Sequence, residues 1–111
     1  MTEAAFQQQI TDLAHHTGWV VAHFRSVRIQ RRDGTYYYAT PVGADGEGWP
    51  DLVLCREPTT LFRELKTDKG TVEDAQTAWL EMLAHCGQDV GVWRPRDWDT
   101  LIIPTLTARA R

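Results

Sequence analysis

Three ionisable residues sit where a sequence rarely places them. Asp51, Glu64 and Lys66 lie in or beside two apolar runs, "GWPDLVL" (residues 48–54) and "LFRELKT" (residues 61–67). Runs of that length and composition read as buried strands. If they pair as a hairpin, Asp51 at the mouth of the first comes opposite the end of the second, where Glu64 and Lys66 lie. Strand side chains alternate, so Glu64 and Lys66 leave the sheet on the same face. Two carboxylates held that close repel, and desolvating them is costly. A divalent cation removes both problems. Mg²⁺ prefers oxygen ligands, often takes only one or two carboxylates, and keeps waters that a phosphate can replace. It polarises a phosphoryl oxygen and lowers the pKa of a bound water. Lys66 would then hold that water or offset charge on the pentavalent phosphate. The chemistry such a trio would perform is metal-assisted phosphodiester hydrolysis.

The elements that must position these groups are legible in outline. Phe6, Ile10, Leu13 and Ala14 share one face of a helix over residues 3–16, with Thr2 as its cap and Gly18 as its stop. "WVVAHF" (residues 19–24) is rich in β-branched and aromatic residues and reads as a strand. Residues 25–47 hold Asp33-Gly34, a hairpin-turn dipeptide, and then a glycine-rich stretch. A flexible arm or hairpin insertion is expected there. Residues 57–60, Glu57-Pro58-Thr59-Thr60, read as the turn joining the two charged strands. Val72, Ala75, Trp79, Met82, Leu83 and Cys86 form an apolar helical stripe, with Thr71 and Asp74 resembling a capping box and Gly87 ending the helix. "DVGVWRP" follows as a strand and "RDWDTLII" as a final helical turn. The order predicts a small α/β domain over residues 1–111, a central mixed β-sheet flanked by helices.

Composition bounds the rest. The chain has 111 residues and a formal net charge of −3, which by itself argues weakly against a nucleic-acid partner. Distribution matters more. Arg25, Arg28, Arg31 and Arg32 crowd the expected arm, interleaved with Tyr36, Tyr37 and Tyr38. Guanidinium binds phosphate and tyrosine stacks on bases, so a DNA-contacting arm and a solvated face are equally good readings. Cys55 and Cys86 have no metal-ligand spacing and read as buried small hydrophobes of a reducing compartment. No apolar run approaches the ~20 residues of a membrane helix, and Glu3 with a glutamine run interrupts any leader-like opening. The expectation is a cytoplasmic protein with no membrane partner.

Pro50-Asp51, then twelve residues, then Glu64-Leu65-Lys66 resembles the PD-(D/E)XK nuclease superfamily. The likeness is closest to its VRR-NUC branch, carried by G-x-P-D (Gly48 to Asp51), by E-x-K, and by Q-x-x-W at Gln76 and Trp79. Glu3 and Phe6, Gly18-Trp19 with His23, and "VWRPRDWD" extend it over nearly the whole chain. The resemblance implies a restriction endonuclease-like fold and Mg²⁺-dependent DNA cleavage, with Mn²⁺ as substitute. It implies Asp51, Glu64 and the backbone carbonyl of Leu65 as metal ligands, Glu3 as an occasional further one, Lys66 as the catalytic lysine, and Gln76 reaching the site from the helix. Stand-alone members look like phage or bacterial enzymes that cut DNA junctions as homodimers. The tyrosine-rich arm with Asp45 and Glu47 departs from the commoner pattern.

Plainer readings stand beside each of these. Glu64 and Lys66 fit a cross-strand ion pair on a solvent face, worth ~0.2–1 kcal/mol. Glu3 fits a first-turn acid that compensates the helix dipole. His23 fits a core histidine as well as one beside phosphate. Trp79 fits a core residue better than a substrate platform. Lys69, just past the second strand, fits a phosphate contact or a polar turn. Two other functions remain alternatives to a junction-cleaving endonuclease. One is a non-catalytic DNA-binding or interaction module on a nuclease fold. The other is a flap or general duplex nuclease acting on double-stranded DNA. A two-fold dimer is expected because cutting two strands symmetrically needs two sites.

Overall fold

The computed structural model describes residues 1–24 and 27–109. Helix α1 (Glu3–His16) buries Phe6, Ile10 and Ala14, four residues apart on one face. The Thr2 hydroxyl accepts the Ala5 N–H at 3.1 Å, and Gly18, at φ +90°, ends the helix. The chain turns at the buried Trp19, whose indole donates to the Leu106 carbonyl at 2.9 Å.

The main sheet has four strands in the order β1-β4-β5-β6: β1 (Val20–His23), β4 (Leu52–Arg56), β5 (Thr59–Leu65) and β6 (Asp89–Trp93). β1–β4 and β4–β5 pair antiparallel, and β5–β6 parallel. A parallel pair needs a crossover, which helix α2 (Asp74–His85) supplies. The expected mixed sheet and α/β fold class are therefore observed. Register puts Leu54 opposite Leu61 and Leu65 beside Trp93. These residues, with Leu52, form the core against Phe6 and Ile10 of α1 and Leu106 of α3 (Ile103–Thr107). A 3₁₀ turn (Pro95–Asp97) and a π turn (Trp98–Ile102) lead into α3. Asp51, Val53, Phe62 and Glu64 alternate onto the opposite face, toward α2.

Residues 27–39 form a separate two-stranded hairpin, β2 (Val27–Gln30) with β3 (Tyr36–Ala39). Its turn is built as the Asp33-Gly34 dipeptide requires. Gly34 has φ +88°, and the Asp33 carboxylate accepts from the Thr35 N–H at 2.9 Å and hydroxyl at 2.6 Å. Among the described residues these strands pair only with each other, and the molecule measures 53 × 31 × 24 Å. Its radius of gyration, 14.9 Å, exceeds the ~13 Å of a compact chain this long. The hairpin therefore stands out from the body.

Four expectations need correction. The turn between β4 and β5 is Glu57-Pro58 alone, because Thr59 and Thr60 already pair with Arg56 and Cys55. Helix α2 is capped by Glu73 rather than Thr71, so it begins later than the apolar pattern implied. None of its residues is fully buried, and Met82 is 59% exposed. It is the only helix among the described residues on its side of a narrow sheet, so nothing covers its outer flank. Cys55 and Cys86 are both free and exposed, not buried. Cys55 points to the face away from the leucine core, and Cys86 lies past the last turn of α2.

Candidate active site

The end of the β4–β5 hairpin brings Asp51, Glu64 and Lys66 to one cavity of about 500 Å³, whose wall also includes Glu3, Gln76, Tyr38 and Trp49. Asp51 is held at two points. Its carbonyl accepts from the Phe24 N–H at 2.9 Å, carrying the β1–β4 pairing one step past the strands. Its carboxylate Oδ2 accepts from the Leu65 N–H at 2.8 Å. Lys66 follows Leu65, with its own N–H on the Trp93 carbonyl at 3.1 Å. Alternation along β5 places Glu64 and Lys66 on one face, as the spacing requires.

Glu64 is only 1% exposed. Its Oε1 accepts from Gln76 Nε2 at 3.0 Å. Gln76 Oε1 accepts the Glu73 N–H at 2.8 Å, completing a reciprocal cap in which Glu73 also binds the Gln76 backbone. Because a backbone donor occupies the amide oxygen, the amide nitrogen has to face Glu64. One side chain thus caps α2 and orients an active-site acid. The other Glu64 oxygen, Oε2, is buried and has no hydrogen-bond partner among the described residues.

Burial sets the electrostatics. Burial, contact with Asp51 and its negative charge push the Glu64 carboxyl up to about 9, with Lys66 pulling it down. Glu3 is raised as well, first by partial desolvation, then by the Asp51 charge, again against Lys66. Two acceptor-only groups confronting each other need a proton or a cation between them. The donor set fits a hard divalent cation, with Asp51 and Glu64 as holders. Among the described residues no group of three or more His, Cys, Asp or Glu side chains could hold a metal ion. Glu3 therefore lines the cavity without completing a three-acid cluster. Two carboxylates are within the ligand count that a hydrated Mg²⁺ accepts.

The flanking motif residues have physical reasons to be where they are. Gly48 has φ +86°, and a Cβ there would lie 2.5 Å from the Ala75 carbonyl oxygen and 2.7 Å from the Gln76 nitrogen. Only glycine lets the loop before Asp51 lie against the first turn of α2. Trp49 then packs edge-on to Trp79 at 5.0 Å and to Phe62 at 5.8 Å between ring centres. Trp79 is half-buried rather than core, and its indole donates to the Asp45 carbonyl at 3.0 Å, tying down the glycine-rich loop. Arg94 donates to the Thr67 and Gly70 carbonyls, 2.7 Å each, and so braces the turn after Lys66.

The other candidate residues divide. His23 is exposed and lines a second cavity of about 600 Å³, which shares Glu3, Tyr38 and Asp51 with the first. The core reading of His23 is therefore excluded. Glu3 lines both cavities while also standing in the first turn of α1. Arg28, Arg31 and Arg32 are exposed on the hairpin, and Lys69 is exposed in the turn after β5; none of the four lines either cavity. Arg25 lies outside the described residues. Sequence reasoning missed Tyr38 as a cavity residue, although its alternation with Tyr36 on one hairpin face was there to be read. It also missed Arg63, only 7% exposed, which pairs with Asp89 at 2.7 Å and stacks on Trp93.

A mixed sheet with an acidic pair and a lysine converging at the end of its central hairpin defines a small α/β protein of nuclease type. The VRR-NUC domain matches residues 36–97, from the second hairpin strand through the turn after β6. The chain belongs to the VRR-NUC family, a nuclease domain family of the restriction endonuclease-like superfamily. A nuclease-type, DNA-processing function follows from that membership. Comparison with curated proteins found no match, and neither did comparison with solved structures. No helix among the described residues is long and apolar enough to cross a membrane.

Proposed function

We propose that this protein is a divalent-metal-dependent DNA endonuclease, selective for branched DNA of the four-way-junction type and active as a homodimer. The observation that carries the reading is the buried Glu64, whose Oε2 has no hydrogen-bond partner among the described residues, lining one cavity with Asp51 and Lys66. Asp51 and Glu64 would hold the cation, with the Leu65 carbonyl as a third ligand. Bound there, Mg²⁺ or Mn²⁺ supplies Lewis acidity toward the phosphoryl oxygen and acidifies a water. Lys66 would hold the attacking water by a hydrogen bond and offset charge developing on the phosphate. Gln76 keeps Glu64 turned toward the site. Bracing of Asp51 by Phe24 and Leu65 limits reorganisation when phosphate enters.

The test is to incubate purified protein with Mg²⁺, Mn²⁺ or chelator on duplex, flap and four-way DNA, and to map the cuts. The expected result is paired symmetric nicks at the junction that chelator abolishes. Cuts spread over all substrates would leave a nuclease but remove the junction selectivity. Tight binding without metal-dependent turnover would point instead to a non-catalytic DNA-binding module. Asp51→Ala and Lys66→Ala are each expected to lower the nicking rate by about 100-fold or more; a surviving rate in both would sink the assignment.

A further inference from the structure

The two cavities beside the acids are not separate. The one holding Glu64, Lys66 and Gln76 and the one holding Gln7, Gln8 and His23 share Asp51, Glu3 and Tyr38. Asp51 lines both. Tyr38 comes from β3 of the protruding hairpin and is 72% exposed. Strand alternation and the β2–β3 register place Tyr38 on the same hairpin face as its partner Arg28, and as Tyr36 and Gln30. The Arg28 guanidinium lies 4.3 Å from the centre of the Tyr36 ring, which holds it extended along that face. Tyr37 and Arg31 stack on the other face, 4.6 Å apart.

We propose that Tyr38 is a base-stacking platform which takes an unpaired nucleobase flanking the scissile phosphate, and so selects DNA with a splayed strand at the cut. This rests on the nuclease reading above. The chemistry is specific. A phenol ring open to solvent offers a face to any base. Arg28, level with Tyr38 across the hairpin, supplies charge for a neighbouring phosphate. The second cavity, walled by Gln7, Gln8 and His23, offers amide and imidazole groups to the next nucleotide. A base still stacked and paired inside a duplex cannot present its face to the ring, whereas one freed at a junction or flap can. The platform would thus give the site its preference for branched DNA without a sequence-specific contact.

The experiment places 2-aminopurine at the nucleotide flanking the cut in a four-way junction and in a duplex. Binding by Asp51→Asn protein is read by fluorescence in chelator. Cutting by Tyr38 variants in Mg²⁺ is compared on both substrates. Quenching on binding the junction, lost in Tyr38→Ala and kept in Tyr38→Phe, is the expected result. The ratio of junction to duplex cutting should fall roughly 10-fold in Tyr38→Ala and hold in Tyr37→Ala, on the opposite face. Metal-dependent cutting with unchanged fluorescence, and an unchanged ratio in Tyr38→Ala, would overturn the platform while leaving the nuclease intact. Absence of DNA binding by the wild-type protein would overturn both.

Discussion

Glu64 is the residue on which the site turns, and its protonation offers a direct check. An ordinary glutamic acid titrates near 4.5, whereas burial and Asp51 lift Glu64 to about 9. Between those values the folded state holds a proton that the unfolded state has released. The contribution of Glu64 to the stability of the metal-free protein is therefore fully present below about pH 4.5 and is lost as pH rises toward 9. Thermal melts at fixed ionic strength should show Tm falling across that window, and Glu64→Gln should flatten the slope. Mg²⁺ would replace the proton, so its stabilising effect should grow with pH. A Tm independent of pH from 5 to 9 in the metal-free protein would contradict the burial argument. Gln76 is the second residue to probe. Gln76→Leu removes the donor to Glu64 Oε1 and the acceptor for the Glu73 N–H. The expected cost is about 1–3 kcal/mol by denaturant unfolding, with a nicking rate about 10-fold or more lower. Gln76→Glu keeps the cap but turns an acceptor toward Glu64, so it should weaken activity more than stability.

At the scale of elements, the site depends on α2 lying flush against the loop before β4. Gly48 permits that approach, and Trp49 and Trp79 hold it. Gly48→Ala combines a positive φ with a backbone clash and should cost about 2 kcal/mol or more, read as a lower denaturant midpoint. The motif G-x-P-D was legible as a string of letters, but its reason was not. The glycine's neighbour is Ala75, 27 positions away, and no local pattern announces so distant a contact. The start of α2 was misplaced for a related reason. Glutamate is a poor cap by itself, and Glu73 succeeds here because Gln76 reciprocates. By contrast, α1 was readable end to end, since its cap, its spacing of four and its stop glycine are all local signals.

For the whole molecule, shape and charge carry the expectations. The hairpin extends from the body and carries Arg28, Arg31 and Arg32 on a chain whose formal net charge is −3. Replacing all three by glutamine should weaken DNA binding and reduce the steepness of its log–log salt dependence by roughly 2–3. Fluorescence anisotropy across a salt series measures this. Equal slopes for both proteins would place the phosphate contacts elsewhere. A homodimer is expected from the need to cut two strands from one-site subunits, and light scattering of the purified chain would read its mass. A monomer that still made paired nicks would remove that argument.

Residue types and their spacing were enough to expect Asp51, Glu64 and Lys66 at one place, and the three line one cavity. Two acids and an amine on hairpin-paired strands determine a shared face, because alternation along a strand is a backbone property independent of context. The order of elements and the mixed sheet followed from periodicity and turn residues in the same way. Tertiary structure decided how far α2 and the cysteines are covered, leaving no residue of the helix fully buried and both cysteines exposed. It also decided that Tyr38 and Asp51 line the same two cavities, that Gln76 serves two partners, and that one oxygen of Glu64 has none among the described residues. Each of these is a meeting of distant segments, and only packing in three dimensions sets such distances.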